Sequence, residues 1–260
     1  MCLLVTRGSM SCHRFCSGAT WRDAPAENAY LFHRRVQMFM REILRVRRGS
    51  KASGKGESGV LGRVQHNVTR YEVQGRQSLH AHILLWVHPD DVDRVSSEIV
   101  ACVPAKYIGK DGVCDEHNPN CPNSRECWEP PSDDPHALSL FDHVMSKQVH
   151  FCTPIKRPGC RKHGTCRYGF PWKPHDSPVP IVDPATRRYV YYRPSWAHRN
   201  VSPYHPTVAL LWGAHMNLQR ITSSDWSFYV LKYAMKVRAR PGARFASGRR
   251  WSAHLFIFSR

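Results

Sequence analysis

Arg70-Tyr71-Glu72-Val73-Gln74-Gly75-Arg76-Gln77-Ser78-Leu79-His80-Ala81-His82-Ile83-Leu84-Leu85-Trp86 is the stretch on which the fold turns. Residues 64–74 and 79–87 read as strands, and residues 75–78 are the right length to join them as a hairpin. Because side chains alternate across a strand, His80, His82, Leu84 and Trp86 share one face, and Leu79, Ala81, Ile83, Leu85 and Val87 the other. Both imidazoles can therefore reach one metal ion. A histidine pair at this spacing often arises by chance; its weight comes from Glu72 and Gln74 on the preceding strand, either of which can add an oxygen ligand. Glu72 is preferred because it carries charge, with Gln74 on the same face as the alternative. Two imidazoles and one oxygen leave coordination positions open for a substrate phosphate. Mg2+ or Mn2+ suits that chemistry, and the imidazoles tilt the preference towards Mn2+.

Outward from this hairpin, residues 2–6 read as a short strand. Asp23 and Pro25 open a helix carrying Phe32, Val36, Phe39 and Ile43 at helical spacing. Residues 48–59 have the composition of a loop. Pro89-Asp90-Asp91 starts a helix expected to point Val92, Val95, Ile99 and Cys102 inward. Residues 103–180 are rich in Pro, Cys and His, with a helix over 135–148; a hairpin about Asp183-Pro184, a strand near 214–219 and a helix from Ser223 to about Val237 follow. The pattern predicts an α+β fold with a central antiparallel sheet and helices on one face. Its segments are 1–26, a core over 27–102, a Cys/His-rich insert over 103–178, a second core part over 179–237 and a basic tail over 238–260.

Lys and Arg total 38 against 20 Asp and Glu, a net charge of +18, so a polyanion is the expected partner. No window is apolar enough to span a bilayer, and the first residues are wrongly flanked for a signal peptide, so an intracellular, soluble protein without a membrane partner is expected. Several of the 10 cysteines alternate with histidines at short spacing, which favours metal ligation over disulfides. Cys114, His117, Cys121 and Cys127 form one candidate structural zinc set. His150, Cys152, Cys160, His163 and Cys166 form another, in which the four that bind stay open. A loop this poor in apolar residues would gain much of its order from such a clip.

Tyr229-Val230-Leu231-Lys232-Tyr233-Ala234-Met235-Lys236 falls on the last expected helix. Four-residue spacing stacks Tyr229 over Tyr233, with Lys232 and Lys236 near the same side. The pair can be two amphipathic tyrosines at a core boundary or two candidate nucleophiles.

The run from Arg70 to Trp86 resembles the metal-site strand pair of the Helitron replication initiator, in the HUH endonuclease superfamily. Cys166-Arg167-Tyr168-Gly169-Phe170-Pro171 is similar to that family's Cys-Arg-Phe-Gly-Phe-Pro element. Asn200-Val201-Ser202-Pro203-Tyr204-His205-Pro206 and Ala214-His215-Met216-Asn217-Leu218 resemble the segments before its tyrosine helix, and residues 229–236 match that helix. Order and spacing agree from about residue 27 to 237. Gln77-Ser78-Leu79 departs from the usual Gly-Leu-Pro or Gly-Ser-Pro.

The resemblance implies a ferredoxin- or RRM-like sheet and a metal-dependent single-stranded DNA nickase and strand transferase acting in rolling-circle transposition, with nuclear localisation. It makes Tyr229 and Tyr233 the nucleophiles that form a 5′-phosphotyrosine, with Lys232 and Lys236 favouring the phenolate. It also implies a helicase, as a further domain or a separate protein. Two other readings compete: a zinc-stabilised DNA-binding module that no longer cuts, and a metal-dependent hydrolase using water, which gives the tyrosines no role.

Overall fold

The alternating stretch folds as a hairpin of long strands. The structure, a computed structural model, describes residues 2–6, 24–46, 57–74, 78–109, 124–151, 161–162, 165–166, 168–221 and 255–258. Its strands in chain order are β1 (Cys2–Thr6), β2 (Val64–Gln74), β3 (Ser78–Val87), β4 (Lys106–Tyr107), β5 (Trp128–Glu129), β6 (Arg161–Lys162), β7 (Thr165–Cys166), β8 (Ile181–Val182), β9 (Tyr189–Val190), β10 (His215–Arg220) and β11 (Leu255–Phe258). The helices are α1 (Pro25–Met38), α2 (Pro89–Ser97), α3 (Pro135–His143) and α4 (Pro206–Trp212); π-helical turns prolong α1 through Ile43 and α3 through Gln148. The protein is thus α+β. Its contacts divide it into one unit of Met1–Val95, Val182–Tyr189 and Asn217–Arg260, and another of Ser96–Ile181 and Val190–Met216.

In the first unit, β2 and β3 pair antiparallel, with Glu72 opposite His80, Arg70 opposite His82, Val68 opposite Leu84 and Tyr71 opposite Ala81. β1 pairs antiparallel with β3, Leu4 opposite His82 and Thr6 opposite His80. β11 runs parallel to β3 over Leu84 to Trp86 and parallel to β10 over Leu218 to Arg220. β3 is therefore an interior strand of a five-stranded sheet. The sheet is mixed rather than wholly antiparallel, because part of the stretch expected as a basic tail supplies β11. Parallel pairing joins segments far apart in sequence, so no hairpin spacing announces it.

Ala81, Ile83 and Leu85 are fully buried and Val87 nearly so, each of the larger side chains stabilising the fold by about 1.5–3 kcal/mol. Tyr71 lies on their face and meets Phe32 of α1 edge to face, ring centroids 6.1 Å apart. α1 thereby covers the Ala81 face, as the spacing of Phe32, Val36 and Phe39 predicts; Val36 and Phe39 are buried. At the foot of β2, Arg63 gives its backbone N–H and Nε to one oxygen of Asp91, both at 2.8 Å, and reaches Asp90 at 3.0 Å. The guanidinium holds the Asp91 carboxyl below its ordinary range. Gly62 beside it has φ +76°, and a Cβ there would stand 2.7 Å from the Asp91 side chain, so close approach as well as backbone conformation requires glycine.

The second unit is tied by a buried cation. Arg193 donates Nε to His198 O at 3.1 Å, one terminal nitrogen to Val201 O at 3.1 Å and the other to Lys173 O at 3.3 Å. Carbonyl dipoles rather than a carboxylate satisfy it, and burial pushes its pKa down to about 10. α4, absent from the expectations above, is bracketed by Pro206 at its first turn and by Gly213, left-handed at φ +66°, at its end. It buries Val208, Ala209 and Trp212. α2 ends at Ser97, so Ile99 is buried from beyond the helix and Cys102 is only partly buried.

Two imidazoles of this unit are kept neutral by burial. Desolvation, reinforced by Lys147 for His143 and by Arg193 for His198, pushes each down to about 4. An unfolded imidazole titrates near 6.5. Above that value both states are neutral; below it the unfolded chain takes up protons that the folded chain refuses. Stability is expected to fall as pH drops from about 6.5 to about 4. His198→Gln should flatten that slope by about one proton in urea unfolding measured across the window; an unchanged slope would show that His198 is not held neutral.

Candidate active site on the central hairpin

His80 is fully buried and His82 is 5% exposed, on the sheet face opposite to Ala81 and Ile83. Glu72, directly across from His80, directs its carboxylate diagonally, so that Oε2 lies 2.9 Å from His82 Nε2. The β2–β3 register does this: cross-strand neighbours stand about 4.5–5.5 Å apart at Cβ and a glutamate spans one step further. Two nitrogen donors and one carboxylate thus share a face, the donor set of a divalent-metal site with open positions. Among the described residues, no three His, Cys, Asp or Glu side chains are already gathered close enough to hold an ion. Gln74 pairs with Ser78 at the end of the hairpin; its side chain lies outside the described residues.

Arg70, which no motif singles out, is opposite His82 and two residues from Glu72 on that face. Its Nε is buried and has no hydrogen-bond partner among the described residues. Beyond it along the face come Val68, 47% exposed, and half-buried Trp86.

The other candidates divide. Tyr229, Lys232, Tyr233 and Lys236 lie outside the described residues, as do Cys114, His117, Cys121, Cys152, Cys160 and His163. The structure brings His150 and Cys166 together, Nε2 to Sγ 3.3 Å, with His150 stacked on Phe170 at 4.4 Å and 15°. Cys127 is buried, with Ser124 Oγ 3.7 Å from its sulfur. A second histidine–carboxylate contact not foreseen, His205 Nε2 to Glu98 Oε2 at 3.1 Å, sits at the start of α4. No helix among the described residues is long and apolar enough to cross a membrane.

An α+β protein with paired histidines on an interior strand and a carboxylate on the strand beside it is the class that fold and site define. Residues 9–85 match the family described as the Helitron helicase-like domain at the N-terminus, and over those residues the chain is similar to that family. No curated protein and no solved structure matches it. The match includes Glu72, His80 and His82, and takes in residues 9–26, which the sequence pattern had set apart. The Cys/His-rich stretch and the tyrosine pair lie beyond it.

Proposed function

We propose that the chain is an HUH-type nickase and strand transferase for single-stranded DNA, working in Helitron-like rolling-circle transposition. The observation that carries this reading is the Glu72–His82 contact, on one buried face with His80, within the Helitron-related segment. Glu72, His80 and His82, with Gln74 as the alternative oxygen donor, would hold Mg2+ or Mn2+. When bound, the ion would supply Lewis-acid polarisation of a nonbridging phosphate oxygen.

The chain's own residues supply the rest. The basic surface holds the single strand. The phenol oxygen of Tyr229 or Tyr233 forms the new bond to phosphorus as the bond to the sugar 3′-oxygen breaks; the phenol loses its proton and the departing 3′-oxygen gains one. Lys232 and Lys236 favour the phenolate, whose ordinary pKa of about 10 makes it scarce at neutral pH. The 5′ end remains on the protein, and the free 3′-hydroxyl can reverse the step, which makes the cut a transfer. A helicase, attached or separate, would supply single strand, and the nucleus is where this chemistry would act.

The His150–Cys166 contact supports a structural Zn2+ completed by two of Cys152, Cys160 and His163, with the 114–127 set as a further candidate. Atomic emission of the purified protein should give at least one zinc per chain, and chelation should lower its melting temperature; a zinc-free protein with an unchanged melt would remove that ion.

The function itself is tested by incubating the protein with end-labelled single-stranded oligonucleotides and Mn2+. A denaturation-resistant adduct on the new 5′ end, carried by the fragment 3′ of the cut, is expected. Retention of DNA with no adduct would instead leave a binding module that does not cut.

A further inference from the structure

We infer that Arg70 binds a phosphate of the single strand beside the His82–Glu72 pair, so that the strand runs from that centre along β2 and β3 towards Trp86. This rests on the reading above. Three observations carry it. Arg70 stands opposite His82 in the β2–β3 register, so its head group reaches the same ground as the histidines. Its Nε is buried without a hydrogen-bond partner among the described residues, while the side chain as a whole is partly exposed. Glu72, the one acid on this face of the hairpin, gives its carboxylate to His82.

A partly buried guanidinium is costly unless an anion completes it, and with Nε enclosed it is the terminal nitrogens that an anion can reach. Phosphate is the anion whose oxygens match the planar fork, and a single strand brings one every nucleotide. The next positions on the face fit the same occupant. Exposed Val68 and half-buried Trp86, one and two register steps beyond the Arg70–His82 pair, offer an apolar and aromatic surface for an unpaired base.

The test measures binding of a fluorescent single-stranded oligonucleotide by anisotropy over a range of salt, in EDTA so that no cleavage intervenes. Arg70→Gln is expected to weaken binding about tenfold and to reduce the slope of log K against log salt by about 0.7, the share of one phosphate on a single strand. Arg70→Lys should keep the slope, since the charge remains, and lose several-fold in affinity with the fork. A purely structural role would lower affinity and leave the slope alone. An Arg70→Gln protein with the slope of the wild type overturns the inference. Should that variant not fold, an Arg70→Lys protein binding as tightly as wild type does the same. Because no cutting is involved, these outcomes are independent of the adduct assay, whose failure would remove the nickase and leave the binding result standing.

Discussion

Replacing His80 and His82 together with alanine is expected to reduce covalent adduct by at least about a thousandfold while single-stranded DNA stays bound within a few-fold of wild type. The size follows from what the two imidazoles would do. Lewis-acid stabilisation of a phosphoryl oxygen is worth several kcal/mol, and each 1.4 kcal/mol is about a factor of ten in rate. Nonspecific affinity comes instead from phosphate contacts spread over a chain of net charge +18, and losing two buried side chains leaves these in place. Both histidines are buried, so the alanines also open space on the interior strand, and a thermal melt must accompany the assay. Glu72→Gln removes the carboxylate charge without opening a cavity and should weaken Mn2+ binding with a smaller loss of melting temperature. Adduct formed at the wild-type rate by a folded double-alanine protein would mean that the metal site is misassigned.

Much of this geometry was legible before any coordinates, for a local reason. Alternation is a property of one strand, so the division of residues 79–87 between two faces follows from sequence alone, and the hairpin joined β2 to β3 in the register that sets Glu72 against His80. What sequence could not say is where the glutamate would aim. It is opposite one histidine and bonded to the other, a diagonal choice made by side-chain rotamers rather than by register. β11 was missed because a parallel strand finds its partner through a long connection. Arg193 and Arg70 were missed because arginine is ordinarily a surface residue. The cavity of carbonyls that receives Arg193 is assembled from Lys173, His198 and Val201, which no short window contains. α4 could have been found: proline at its first turn and glycine just past its end bracket a run whose buried positions are three or four apart. The cysteines show the opposite limit. Spacing puts Cys127 in a set with Cys114, His117 and Cys121, which lie outside the described residues, whereas His150 and Cys166, sixteen residues apart, are in contact.

Phenylalanine at Tyr229 or Tyr233 is expected to reduce adduct unequally, and phenylalanine at both to eliminate it. Residues 222–250 lie outside those the structure describes, and the expectation rests on their spacing. Four-residue spacing on a helix puts both phenols on one face, one turn or about 5.4 Å apart along the axis. In-line attack has to place the oxygen opposite the departing 3′-oxygen, within about 3–3.5 Å of the phosphorus. Two oxygens a turn apart cannot both meet that condition for one phosphate, so one tyrosine should carry the first cut and the other serve a second strand. Phenylalanine keeps the ring and its packing and deletes only the attacking atom, so the melting temperature should hold within a few degrees. Loss of the leading phenol should lower adduct from a single strand by about a hundredfold or more, and loss of the other several-fold at most when only one strand is offered. Lys232→Met and Lys236→Met should shift the adduct-forming limb to higher pH, since removing a neighbouring cation raises the phenol pKa. Adduct persisting in the double phenylalanine protein would refute tyrosine attack and point to another nucleophile on the same scaffold.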